Sequence, residues 1–410
     1  LALDILRAEA THPPKVGRDL AIMHVGIWDA VAAIDGGYYA IQTDLPDAPT
    51  ASLDAAVAAA ARDTLVALYP SRQGDVDALY ASQQAGVADG PAKTAGIALG
   101  QAAAAGILLA RQGDGWDAPS TYTWTTDPGH WRPTPPDYNP PLAPQWGEVT
   151  PFAIGSADDF MPPAPPPMTL PAYAAAWQEV RDYGGTVSGV RTADQTEIAE
   201  FWNDFPGPTA APAGKWNLIA TVLSESQGNG LVENARMFAL LNVAEADVGI
   251  TSWKAKFEYD LWRPEDAIRL ADQDGNPDTD ADPAWEPLWP SPPFPAYTSG
   301  HSSFSGAASE LLALFFGSAD IPFSCEAGWD VLPGVTRSFA SLSEAAEEAG
   351  MSRVYGGIHF AFDNEQGLAN GRAVAGYVYD NVAGEIPEPT TAMLLLAAAL
   401  PLARRRRRGR

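Results

Sequence analysis

The chain has 410 residues and sets 51 acidic against 25 basic side chains, a formal charge of −26 with histidine neutral. Six of those cations are arginines between 404 and 410, so 19 cations meet 51 acids in the remainder, a balance of −32; such a body repels polyanions, excludes a nucleic-acid-binding surface and makes any internal cluster of cations conspicuous. Hydrophobic residues, at 46%, suffice for a substantial core of two or three units of roughly 150 residues, and the single cysteine, Cys325, excludes an intramolecular disulfide, a four-cysteine zinc site and an iron–sulfur cluster and reads as a buried small side chain.

No basic, apolar and small-residue triplet precedes the first amphipathic segment, and the expectation is that any signal peptide has been removed ahead of Leu1. Apolar residues then recur at helical spacing over Ala21 to Ala33, Leu53 to Leu68, Val76 to Val87, Ala92 to Arg111, Ala172 to Tyr183, Thr196 to Trp202, Leu218 to Ser226 and Leu231 to Val248. Ser52 and Thr192 can cap helix starts, while Gly113, Gly184 and the glycines at 228 and 230 fit helix ends. No stretch sustains period-two alternation, so a large sheet is not expected. The fold class is therefore all-α, a helix-bundle architecture with long loops rich in proline and aromatic residues.

The longest such loop, Trp116 to Pro171, includes Trp131-Arg132-Pro133-Thr134-Pro135-Pro136 and cannot be helical for long. Its tryptophans are costly to leave in water, so it reads as an ordered wrap between two helical units. A second irregular stretch, Asp272 to Ser299, opens on Asp272, Asp274, Asn276, Asp278, Asp280 and Asp282; it loosely matches a calcium loop but has Pro283 where a twelfth-position Glu belongs, which favours a plain acidic turn. The expected units are residues 1–170, an N-terminal helical region with its wrap, 171–385, a C-terminal catalytic bundle, and 386–410, a tail. The tail runs Pro387-Glu388-Pro389, an apolar segment from Ala392 to Ala403, and then arginines, which is too short for an ordinary membrane span of about 20 residues. This pattern resembles the PEP-CTERM sorting tail of Gram-negative bacteria. That resemblance implies export, transient anchoring at the inner membrane, processing by an exosortase, and a final place in the periplasm, at the cell surface or in the extracellular matrix.

The chemistry concentrates in three blocks. Ser299-Gly300-His301 precedes the apolar run Ser302 to Phe316, which puts the three residues at a helix N-terminus; free N–H groups and the helix dipole there attract an anion, and His301 can exchange a proton with it. His359 and Asp363 in Ser352-Arg353-Val354-Tyr355-Gly356-Gly357-Ile358-His359-Phe360-Ala361-Phe362-Asp363 share a face if the segment is helical, so the carboxylate can hold one imidazole nitrogen and leave the other aimed at a ligand; a surface pair is the plainer alternative. In Trp253 to Pro264, Lys256 and Arg263 are seven residues apart, which on a helix points both cations the same way among Trp253, Phe257 and Trp262. Together these describe a pocket for a tetrahedral oxyanion, phosphate or its analogue vanadate.

The order Lys, six residues, Arg-Pro; Ser-Gly-His; Ser-Arg, five residues, His, three residues, Asp resembles the vanadium-dependent haloperoxidases, which share their site with type 2 phosphatidic acid phosphatases and bacterial acid phosphatases. Softer likeness extends to Phe201-Trp202-Asn203-Asp204 and to Met23 through Ala30. The resemblance implies vanadate as cofactor, with Lys256, Arg263, Arg353, Ser299 and the Gly300 N–H on its oxygens, His359 as the ligand to the metal oriented by Asp363, and Asp204 paired with an arginine. It further implies that His301 takes a proton from hydrogen peroxide and returns it as halide is oxidised to a hypohalous species, which halogenates nearby organic molecules. Trp253 and Phe294 fall where the resemblance puts the halide pocket and hint at chloride, while Thr298 replaces the usual proline. The organic acceptor and any homo-oligomer stay open. Two further readings of the same residues are a soluble acid phosphatase, in which His359 would form a phosphohistidine and His301 would protonate the leaving alcohol, and a surface protein that keeps the pocket without turnover.

Overall fold

The computed structural model describes residues 1–329 and 331–386. The sorting-tail reading, 386–410, lies outside the described residues from 387 onward. A short helix α1, Ala2–Ala8, leads into α2, Pro13–Asp35, which starts on a proline pre-set for the first turn and stops at left-handed Gly36. The N-terminal half continues through α3 (Leu53–Leu68), α4 (Gln73–Ala85) and α5 (Pro91–Ala110), and the second half through α6 (Pro171–Gly184), α7 (Ala193–Phe201), α8 (Ala211–Gln227), α9 (Leu231–Tyr259), α10 (Pro264–Arg269), α11 (Gly300–Phe316), α12 (Leu342–Tyr355) and α13 (Ala361–Asn381). Ser52 and Thr192 do cap α3 and α7, accepting from Ala55 N–H and Gln195 N–H.

Every run with helical spacing is helical or lies largely inside a helix, but α1, α10, α12 and α13 go beyond the periodic pattern. For α13 the reason is its neighbour. It packs along α11 through Asn364, Gly367 and Gly371 rather than through large apolar residues, and a Cβ on Gly371 would stand 2.3 Å from the Ser303 carbonyl oxygen. The one sheet among the described residues is a hairpin, β1 (Phe323–Glu326) antiparallel to β2 (Thr336–Phe339), with Cys325 buried on it.

One apolar core runs from Ile5 to Ala383 and joins α2, α8, α9, α11, α12 and α13 across residue 170. The wrap is ordered as expected: Trp131 and Trp146 are fully buried, although Trp124 remains 47% exposed. Helix carboxylates tie irregular backbone to this core. Asp29 in α2 accepts from the amides of Ile41, Gln42 and Thr43, and Asp247 in α9 from those of Phe152, Ala153 and Ile154, which satisfies donors that no secondary structure pairs. In the acidic stretch, Asp274 accepts from the Asn276 amide and the Thr279 hydroxyl, so that carboxylate closes a turn. A second apolar cluster, including Tyr173, Trp177, Trp262, Tyr297, Phe360 and Phe362, lies around the segments that carry the candidate site.

Candidate active site

The three blocks meet in one cavity of about 340 Å3, lined among others by Gly300, His301, Arg353, His359, Trp253 and Phe294. Two details of the sequence reading need correction. Helix α9 stops at Tyr259 because Asp260 turns left-handed, so Arg263 is not two turns along the helix from Lys256; it caps α10 and reaches the site from the next segment. Likewise His359 precedes α13. Gly356 and Gly357 break the chain after α12, and the left-handed φ of 78° at Gly357 brings its Cα so near Gly184 that any Cβ would stand 2.2 Å from that carbonyl oxygen. His359 therefore meets Asp363 from the turn leading into the helix.

That turn fixes the tautomer. His359 Nδ1 lies 2.9 Å from Asp363 Oδ2, which also accepts from the Phe360 N–H at 3.1 Å, so Nδ1 carries the proton and Nε2 keeps its lone pair. Arg263 Nη1 donates to that lone pair at 3.0 Å and to the Ile358 carbonyl at 2.8 Å, while its Nε donates to the Phe294 carbonyl at 2.8 Å. The remaining nitrogen, Nη2, is buried without a partner. Arg353, in the last turn of α12, has one N–H on the Trp202 carbonyl at 3.3 Å and its buried Nε unpartnered.

Lys256 sits differently from the other cations. Its ammonium donates to the carbonyls of Pro295 (3.0 Å), Ala296 (3.1 Å) and Thr298, so its three protons pin the turn before α11, and its charge acts on the cavity through space. Ser299 caps α11, accepting from Ser302 N–H, and donates its own amide to the Asp363 carbonyl at 3.0 Å, which links the anion-binding helix start to the His359 support. Thr298 contributes a hydroxyl 3.2 Å from that of Ser252.

Charge and burial set the protonation states. Burial, then Arg353 and the other cations, hold His301 well below the ordinary histidine value; burial and Arg263 do the same for His359. Both are neutral near pH 7. Burial pulls Arg263 down to about 9 and Arg353 to about 10, which leaves both charged, and pushes Asp363 up to about 7. His301 is held by the Trp202 backbone, and its Nε2 is buried and free.

Two residues beyond the three blocks matter. Asp204 is buried against the cavity with one oxygen unpartnered; burial raises it to about 7, and Lys215 and Arg353 oppose that rise. Among the described residues no ion pair within 4 Å joins it to an arginine, so its expected pairing is an electrostatic one at longer range. Lys215, fully buried on α8, donates to the carbonyls of Glu326 and Ala327 at 2.6 Å each and stands 4.1 Å over the Phe201 ring. The signal for it was a lone lysine inside the apolar run Ala210 to Ala220.

Unpartnered N–H groups on two buried arginines, a helix N-terminus and a supported imidazole lone pair form a donor set for a tetrahedral oxyanion, so vanadate fits the residues present. Comparison with known proteins agrees. Residues 236–386 match the VCPO second helical-bundle domain. The vanadium chloroperoxidase of Curvularia inaequalis is 32% identical over 186 residues, covering 34% of this chain; the chain spans about a third of that relative, 30% of its length. A crystal structure of a bacterial vanadium-dependent iodoperoxidase superposes with a TM-score of 0.82 at 28% identity over 94% of this chain and 95% of that one. A holo-type bacterial vanadium-dependent chloroperoxidase shares the fold, with a TM-score of 0.72 at 17% identity over 90% and 92% of the two chains. The chain thus has the helical fold of the vanadium haloperoxidases, and its residues 236–386 are similar to the second helical-bundle domain of the VCPO model.

Proposed function

We propose that this protein is a vanadate-dependent haloperoxidase, in which hydrogen peroxide, halide and a proton give hypohalous acid and water. The observation that carries the reading is one cavity lined by His301, with its Nε2 free, by Arg353, with its buried Nε unpartnered, and by His359, whose Nε2 accepts from Arg263, itself left with an unpartnered Nη2. Vanadate held there would supply the Lewis acidity that activates peroxide toward halide. Arg263, Arg353, Ser299 and the Gly300 N–H would hold the oxygens of that group, Lys256 would add charge, and His359 Nε2, which now accepts from Arg263, would be its ligand. Asp363 keeps the His359 proton on Nδ1. Neutral His301 accepts a proton at Nε2 from peroxide and returns it to the departing oxygen.

Trp253 and Phe294, with ring centroids 5.0 Å apart, form the halide-facing wall, and Lys256 and Arg263 each stand 4.9 Å from the Phe294 ring. From the sequence we also propose that 386–410 is an exosortase-processed sorting signal and that the protein acts outside the cytoplasm of a Gram-negative bacterium. The test is a paired assay on the protein: bromide- and peroxide-dependent halogenation of a dye with added vanadate, beside aryl phosphate hydrolysis without it. Halogenation that needs vanadate and is inhibited by phosphate supports the peroxidase. Phosphate release alone, inhibited by vanadate, would make it a phosphatase, and silence in both would leave a pocket without turnover.

A further inference from the structure

The cavity has two parts of opposite character. Its floor is the charged site, and its outer wall is apolar: eight of the 22 lining residues are proline, in particular Pro135 and Pro136 from the wrap and Pro290, Pro292 and Pro293 from the segment before α11. The two segments are joined where the Leu142 amide donates to the Pro293 carbonyl at 2.8 Å. Proline rings present flat C–H faces at little conformational cost, and a volume of about 340 Å3 lies at the lower end of the roughly 300–1,000 Å3 of small-molecule sites.

The wall is also chemically inert. No methionine, cysteine, tyrosine or lysine is among its lining residues, and its one electron-rich ring, Trp253, is only 1% exposed. An electrophilic halogen species formed at the floor therefore meets nothing more reactive on its way out than whatever occupies the wall. Asp137 on the lining disfavours an anionic occupant of the mouth.

From these features we infer that the proline-lined vestibule is a binding site for the organic acceptor, an uncharged, electron-rich aromatic molecule of about indole size, halogenated there before the oxidant escapes. This rests on the haloperoxidase reading. In the step, a ring carbon attacks the halogen of hypohalous acid; the C–halogen bond forms, the halogen–oxygen bond breaks with its electron pair on oxygen, and the displaced ring proton leaves with that oxygen as water. The acceptor thus competes with release of the diffusible oxidant that the sequence resemblance implied.

The experiment sets free indole against indole coupled to dextran, which cannot enter the cavity, and compares their halogenation ratio under the vanadate-loaded protein with that under reagent hypobromous acid. The expected result is a ratio shifted toward free indole by roughly tenfold. Pro292→Trp and Asn139→Trp, which fill the vestibule from two sides, should return the ratio to the reagent value while triiodide formation, which needs no acceptor, persists. A parent ratio equal to the reagent's, with triiodide formation intact, overturns the acceptor site alone. Absence of triiodide formation overturns it together with the haloperoxidase reading.

Discussion

At the floor of the cavity, Arg263, Arg353 and His359 are fixed by hydrogen bonds to backbone carbonyls and to one carboxylate, each on or beside a helix end, whereas at the mouth Pro135, Pro136 and Pro292 come from irregular segments stiffened by their own rings. The floor gathers like charges in a buried place, which is tolerable only when each cation keeps fixed partners and an anion completes the set. The mouth has little polar demand. The difference teaches that a change at the floor alters charge and proton position, while a change at the mouth alters only what fits.

The largest expected effect breaks the floor outright. His359→Ala removes the imidazole lone pair that Asp363 supports, and vanadate-dependent halide oxidation should fall below detection, read by triiodide formation across a vanadate titration. Next, His301→Ala should lower halide oxidation by about 10²- to 10⁴-fold with oxyanion binding largely retained. A parent rate in that variant would remove His301 from its role.

The same residue gives a pH signature. Burial and Arg353 depress His301 in the free protein, and an anion set among the cations raises it, so binding takes up a proton. Affinity is then greater at low pH and is lost as pH rises through the His301 value of the complex. Calorimetric titration with phosphate in buffers of different ionisation heat should show proton uptake in the parent and less in His301→Ala. Asp363→Asn keeps an acceptor for the Phe360 amide but weakens the hold on His359, and should cost roughly 10- to 100-fold in vanadate affinity by equilibrium dialysis. The smallest effect belongs to the mouth: Pro292→Ala should change stability by less than about 1 kcal/mol and leave triiodide formation unchanged, measured by thermal unfolding beside the same assay.

Much of this was legible before any coordinates. The runs from Leu53 to Leu68 and from Leu231 to Val248 announce helices because their apolar residues repeat every three or four positions against a core. Helix α13 stayed hidden because glycine and asparagine, not large apolar residues, make its contact with α11. Among site residues, Ser299 and His301 are readable because helix-start chemistry is local, and His359 with Asp363 because four residues separate them whether or not the stretch is helical. Lys215 stood out as a lone lysine in an apolar run, but its role and the outer role of Lys256 were not readable, since both depend on carbonyls from distant segments, Glu326 and Ala327 for one and Pro295 to Thr298 for the other.

By itself the sequence determined which side chains could do the chemistry, because residue type, short spacing and a helix N-terminus are properties of a few neighbouring positions, and it made a cluster of cations conspicuous against an acidic body. Only the tertiary structure decided how they are used: that Arg263 arrives from beyond the end of α9, that Lys256 spends its protons on backbone carbonyls, that Asp204 faces Arg353 without pairing to it, and that two proline-rich loops far apart in the chain close over the charged floor. Each of these depends on segments brought together by packing across tens of residues or more, and no local pattern encodes such a meeting.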